Sequence, residues 1–152
     1  MAALARLAAL PEPVPEPPEF QHRLDRVLRL TGVQPDQPVG VAGPEALDLM
    51  CALARRGIER VESAIRCTGG CADEVCDLLI LSGRDADAIA HLVEAVGSML
   101  KPGGRLAVMT HRLRGADERR RLANRLAHRG YRYRPDALDA PVMLATKPDV
   151  ED

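Results

Sequence analysis

The chain has no tryptophan, one phenylalanine and two tyrosines in 152 residues. Its core must therefore be filled by Leu, Val, Ile, Ala and Met, and it lacks the aromatic platforms on which single-stranded nucleic acid stacks. Lysine is nearly absent: only Lys101 and Lys147 interrupt a basic set that is otherwise arginine, a bias that fits GC-rich coding before it fits any function. Charge of neither sign dominates, since 21 basic and 22 acidic residues leave a net charge of -1. That balance argues against a surface adapted as a whole to nucleic acid or to an anionic membrane. No apolar run approaches the ~18 residues that cross a bilayer, and MAALARLAAL is too short and interrupted for a signal peptide. The chain reads as cytoplasmic, with its four cysteines as reduced thiols. Its length fits one domain that buries a core without disulfides or metal.

What is present begins with Leu4, Leu7 and Leu10, an apolar stripe on a short helix that needs something to dock on. Five prolines between Pro11 and Pro18 predict an extended connector. Phe20, Leu24, Val27 and Leu28 mark the next helix, ending near Gly32. The N-terminal helices and linker thus occupy 1–37, an α/β domain 38–148, and a tail 149–152. From residue 38 short strands alternate with helices, the pattern of a parallel sheet covered on both faces. Val39 to Ala42 is one strand, followed by a helix on Ala46, Leu49, Met50 and Leu53 that closes at Gly57. Val61 to Ile65 and Asp77 to Leu81 are further strands. Ile89, Leu92, Val93, Val96 and Leu100 define a helix that Pro102-Gly103-Gly104 breaks before the strand Arg105 to Thr110. A helix over Asp117 to Arg129 then leads to a hairpin-like pair, Tyr131 to Arg134 and Val142 to Thr146.

LKPGGRLAVMT, Leu100 to Thr110, resembles the helix-to-strand junction before the fifth strand of class I S-adenosylmethionine-dependent methyltransferases. CDLLILSG resembles that family's fourth strand, and LANRLAHRGYRYRPDALDAPVMLATKP its last helix and final antiparallel strands. The resemblance spans about residues 38–147. It implies a three-layer, Rossmann-like sandwich whose mostly parallel sheet carries an antiparallel C-terminal strand. The implied order resembles 2-1-4-5-7-6, with the family's third strand missing.

Ligands of such sheets bind beyond the carboxyl ends of the strands, where strand order reverses. The resemblance therefore directs S-adenosylmethionine, as implied cofactor, to Gly40, Ala42, Gly43 and Glu45 in the first loop and to Ser82 and Gly83 after DLLIL. Pro44 removes one amide donor there, and Gly43-Pro44 reads equally as a plain strand-to-helix turn. At the end of the second strand the family places an acidic ribose acceptor, whereas this chain has Arg66-Cys67, neither of which accepts well. Only a short connection separates Cys67 from Asp77, less than a crossover to a parallel strand requires. Glu62 or Asp73 could substitute, but no spacing singles them out.

Ser82 and Asp85 read as helix caps before they read as catalytic groups. Cys67, Cys71 and Cys76 match no standard metal spacing; a redox pair or small buried thiols both account for them, with Cys76 the one placed for burial and Cys51 on a core-facing helix. The arginines between Arg112 and Arg134 face only Asp117 and Glu118 in sequence, leaving open a phosphate or acidic partner or a solvated face. His111 follows the fifth family strand without an evident orienting partner. No catalytic residue is assigned, and two readings stand. One is a methyltransferase that works by orienting its reactants. The other is a derived domain with weakened or lost cofactor binding that docks a small-molecule ligand, a protein partner or a second copy of itself, through its N-terminal helix or Arg-rich face.

Overall fold

A computed structural model describes residues 17–63, 73–133 and 142–149. The expected helix over residues 1–10, most of the proline connector, and Cys67, Cys71 and Arg134 lie outside the described residues. Helix α1 spans Pro18–Thr31, α2 Ala46–Arg55, α3 Ala86–Val96 and α4 Gly115–His128. Strands are β1 Val39–Ala42, β2 Val61–Ser63, β3 Cys76–Ser82, β4 Leu100–Met109, β5 Arg132–Tyr133 and β6 Val142–Thr146. They form one sheet in the order β2-β1-β3-β4-β6-β5. The four strands from β2 to β4 pair in parallel, and β6 runs antiparallel between β4 and β5. This is the order expected from the sequence once the family's third strand is left out.

Alternation along each strand sends side chains to two separate cores. Leu78, Ile80, Ala107 and Met109 join Phe20, Leu24 and Val27 of α1 and Leu49 and Leu53 of α2 on one face. Leu79, Leu81, Leu106 and Val108 join Ile89 and Val93 of α3 and Leu122 and Leu126 of α4 on the other. Two helices on each face make the three layers. No helix among the described residues is long and apolar enough to cross a membrane.

The proline connector ends inside a helix rather than before it. Pro18 is the first residue of α1, where a missing N–H costs nothing and the fixed φ is already helical. At the other end Gly32 caps α1 with φ 63°, and Arg105 Nη1 donates to the carbonyls of Leu30 and Thr31. That guanidinium satisfies orphan carbonyls at the negative end of the helix dipole and ties α1 to β4.

Two local expectations are corrected. Leu100 opens β4 instead of closing the preceding helix: α3 ends at Val96, a single 3-10 turn covers Gly97–Met99, and Leu100 pairs with Cys76. The register then shifts before Leu78 pairs with Arg105, so the Pro-Gly-Gly stretch is an irregular insertion within the strand, not a break ahead of it. Lys147 secures it, accepting from Gly103 N–H at 3.1 Å and donating to Gly104 O at 2.9 Å. Its Nζ also caps the 3-10 turn through Gly97 O and Leu100 O. Cys51 is exposed rather than core-facing, because it lies two residues, or ~200°, around the helix from buried Leu49. Cys76 is buried as expected; its thiol donates to Met99 O, and burial pushes its pKa up to about 11.

A single carboxylate joins the two helices of the second face. Glu118 accepts from Ala86 N–H at the start of α3 and from Arg114 N–H at the start of α4. These bonds hold its pKa below the ordinary value of 4.5. Because the folded value is depressed, the stabilisation is complete above 4.5 and is lost as pH falls through the lowered value. Glu118→Gln is therefore expected to lower the melting temperature at neutral pH and to flatten its dependence on pH between about 5 and 3. Melting curves across that range check this; parallel curves for variant and parent would refute the role of Glu118.

Candidate functional site

Three loops meet beyond the carboxyl ends of β1, β3 and β4. In the first, Gly43 has φ 107°, and a Cβ built there would sit 2.2 Å from the Ser82 carbonyl oxygen and 2.7 Å from its Oγ. Only glycine lets the chain leaving β1 press this closely on the end of β3. Glu45, next to α2, donates its backbone N–H to Ser82 Oγ at 3.2 Å. Ser82 is thus a buried acceptor for the first loop, while Asp85 is the helix cap, its Oδ1 accepting from Ala88 N–H at 2.8 Å. Gly83 is equally tight, since a Cβ there would lie 2.6 Å from Ile89 Cγ1.

The Glu45 side chain does not cap α2. Its Oε1 instead stands 3.1 Å from Arg112 Nη2 and 3.4 Å from His111 Nε2, in the loop after β4. Because β3 lies between β1 and β4, this contact carries a side chain from the first loop over the end of β3 to the third. The carboxylate is 13% exposed and the imidazole 19%. Burial, then the positive charge of Arg23 on α1, lowers the His111 pKa below its ordinary 6.5, outweighing the opposing pull of Glu45. The lowered pKa favours the neutral imidazole, which stands with Nε2 towards the carboxylate. Glu45 Oε2, His111 Nδ1 and Arg23 Nε are shut away from solvent without hydrogen-bond partners.

The residues singled out from the sequence divide into two groups. Gly43, Glu45, Ser82 and Gly83 converge at this edge, with buried Ala42 beneath them. Gly40 lies within β1, paired with Glu62 and Leu79 and pressed against the Cys76 and Leu79 side chains. Glu62 and Asp73 are exposed, and Arg66 and Cys67, the residues at the expected ribose position, lie outside the described residues. Sequence reasoning left His111 without a partner and did not connect Arg112 or Arg23 to the first loop. The strand order alone would have brought β1 and β4 to either side of β3.

The arginine-rich segment is less free than it reads. Arg125 pairs with Asp87 at 2.6 Å and Arg129 with Glu94, so α3 supplies acids that counting along α4 overlooked. A cavity of about 330 Å³ opens at the opposite, amino-terminal edge of the sheet. Its charged groups are already engaged, Lys101 with Asp77 at 3.5 Å and Arg105 with the α1 carbonyls.

The strand order, the antiparallel β6 and the loops at the switch point define a class I methyltransferase-type fold. Solved structures agree. An S-adenosylmethionine-dependent O-methyltransferase from Thermotoga maritima is similar with a TM-score of 0.58 and 16% identity, over 93% of this chain and 69% of that one. A tRNA methyltransferase from Aquifex aeolicus gives 0.57 at 9% identity over 86% and 69%. An N-methyltransferase from Bradyrhizobium japonicum gives 0.54 at 15% identity over 90% and 100%. At these identities the likeness is one of fold. No protein-family model and no curated protein sequence matches the chain.

Proposed function

We propose that this chain is a methyltransferase-fold domain with weakened S-adenosylmethionine binding, acting as a ligand-binding module. The observation that carries the reading is the Glu45 side chain lying across the end of β3 to reach His111 and Arg112. A cofactor held in the manner of the fold family would run through that position. The first loop is poorly suited to it as well: the Glu45 N–H is committed to Ser82, Pro44 has no N–H, and Gly43 is packed on the Ser82 carbonyl. These commitments weaken the hold this edge would have on the cofactor.

A second reading, methyl transfer, is favoured by His111. A neutral imidazole held through Nε2, with Nδ1 unpartnered, has the form of a proton acceptor. Calorimetric titration with S-adenosylmethionine and its demethylated product separates the two. The binding-module reading expects no saturable heat at millimolar cofactor with folded protein; micromolar affinity would replace it with the enzyme reading. Docking of a protein partner through the N-terminal helix expected over residues 1–10, or through the arginine-rich face, belongs to the same binding-module reading.

A further inference from the structure

We propose that Arg23, His111 and Arg112 form a cradle for the carboxylate of a small-molecule ligand, and that Glu45 fills the cradle from within the chain. The inference rests on the binding-module reading and gives it a ligand class. Three observations converge. Arg112 pairs with the Glu45 carboxylate, and the positive charge of Arg23 acts on His111 beside it, so the cluster sets two cations against one anion. Glu45 satisfies it only in part: Oε1 takes both contacts, while Oε2 and the Nε–H of Arg23 are buried without partners. A buried polar atom left unpaired is costly, so this arrangement is a weak occupant of a strong site. Finally, the cluster stands at the carboxyl ends of the central strands, on either side of the reversal in strand order.

A free carboxylate improves on Glu45 by geometry. It can meet the fork of Arg112 with both oxygens, where Glu45 uses one. It is not tethered to the first loop and can turn a lone pair to Arg23. Arg112 is 47% exposed on its side chain, which gives the ligand a point of first contact. Glu45 has the advantage of being attached, since a tethered group acts at an effective concentration on the order of millimolar or above. Binding to the parent protein is accordingly weak, and loss of the Glu45 carboxylate strengthens it. In binding, Glu45 leaves its position over β3.

The test uses the full chain labelled with ¹⁵N and titrated with sodium acetate, with sodium chloride at matched ionic strength as the control. Glu45→Ala is expected to bind acetate about tenfold more tightly than the parent, with shifts centred on His111 and Arg112. Glu45→Gln keeps the side-chain volume and provides the same reading if Glu45→Ala does not fold. Adding Arg112→Met to either variant should abolish the response. Folded variants that ignore acetate, bind it no better than the parent, or bind it equally without Arg112 would overturn the cradle. Tighter binding of inorganic phosphate than of acetate would overturn the carboxylate assignment. Cofactor affinity in the calorimetric titration would instead overturn the reading on which the cradle rests, so the two failures are distinct.

Discussion

Gly43→Ala is expected to lower the melting temperature by roughly 10 °C and to dismantle the candidate site. Two costs add. At φ 107° an L residue is strained wherever it is placed, at about 1–3 kcal/mol. The new methyl would also stand 2.2 Å from the Ser82 carbonyl oxygen. That atom is backbone at the end of a central strand, so no rotamer change relieves the clash, and overpacking adds another ~1–3 kcal/mol. The loop must move away from β3, which separates Glu45 N–H from Ser82 Oγ and withdraws the carboxylate from His111 and Arg112. Gly57→Ala is the matched control, because φ there is 84° yet nothing lies within 4 Å of the added carbon. It should cost only the backbone strain, about 1 kcal/mol, or ~3 °C. Equal melting temperatures for the two variants would show that contact with Ser82 is not what constrains Gly43.

The fold was legible because each central strand is an apolar run closed by glycine, proline or a cap. DLLIL and RLAVM declare themselves, and once the chain alternates strand and helix few topologies remain. The errors share one physical origin, which is that local pattern cannot see what lies alongside. Leu100 continues the apolar spacing of α3, but its backbone is claimed by Cys76 of the neighbouring strand. Cys51 follows Leu49 and Met50 in sequence yet points away from them on a helical wheel. Asp87 and Glu94 neutralise Arg125 and Arg129 from a different helix.

The site was legible in outline only. Gly43, Glu45 and Ser82 were marked by their place after the first and fourth family strands, and they do converge. Their chemistry was not readable, because a glutamate in a turn has no visible partner until β3 is set between β1 and β4. Arg23 was further out of reach: it lies on a helix ahead of the sheet, beside the apolar face formed by Phe20, Leu24 and Val27. Its influence on His111 follows from where that face packs.

That dependence gives the second large effect. Leu24→Ala is expected to cost about 2–5 kcal/mol and roughly 10 °C, as for other fully buried leucines. Leu24 is a fully buried member of the core that α1 shares with Met109, Val142 and α2. Loosening α1 also moves Arg23 away from His111 and admits water, removing the two largest causes of its lowered pKa. The His111 titration, followed by the imidazole resonances, should therefore move up towards 6.5. Arg112 and Glu45 remain beside it with opposing effects, so the shift isolates α1. A histidine whose folded pKa is depressed contributes stability that is present above 6.5 and is lost as pH falls below it, since the unfolded chain takes the proton first. Leu24→Ala should weaken this acid sensitivity while lowering stability at every pH. Arg23→Met separates the causes, because it keeps an apolar stem on α1 and removes only the charge. It should raise the His111 pKa by part of the same amount and leave the melting temperature within about 2 °C of the parent. An imidazole that titrates unchanged in both variants would mean that α1 packs on the sheet without acting on the site.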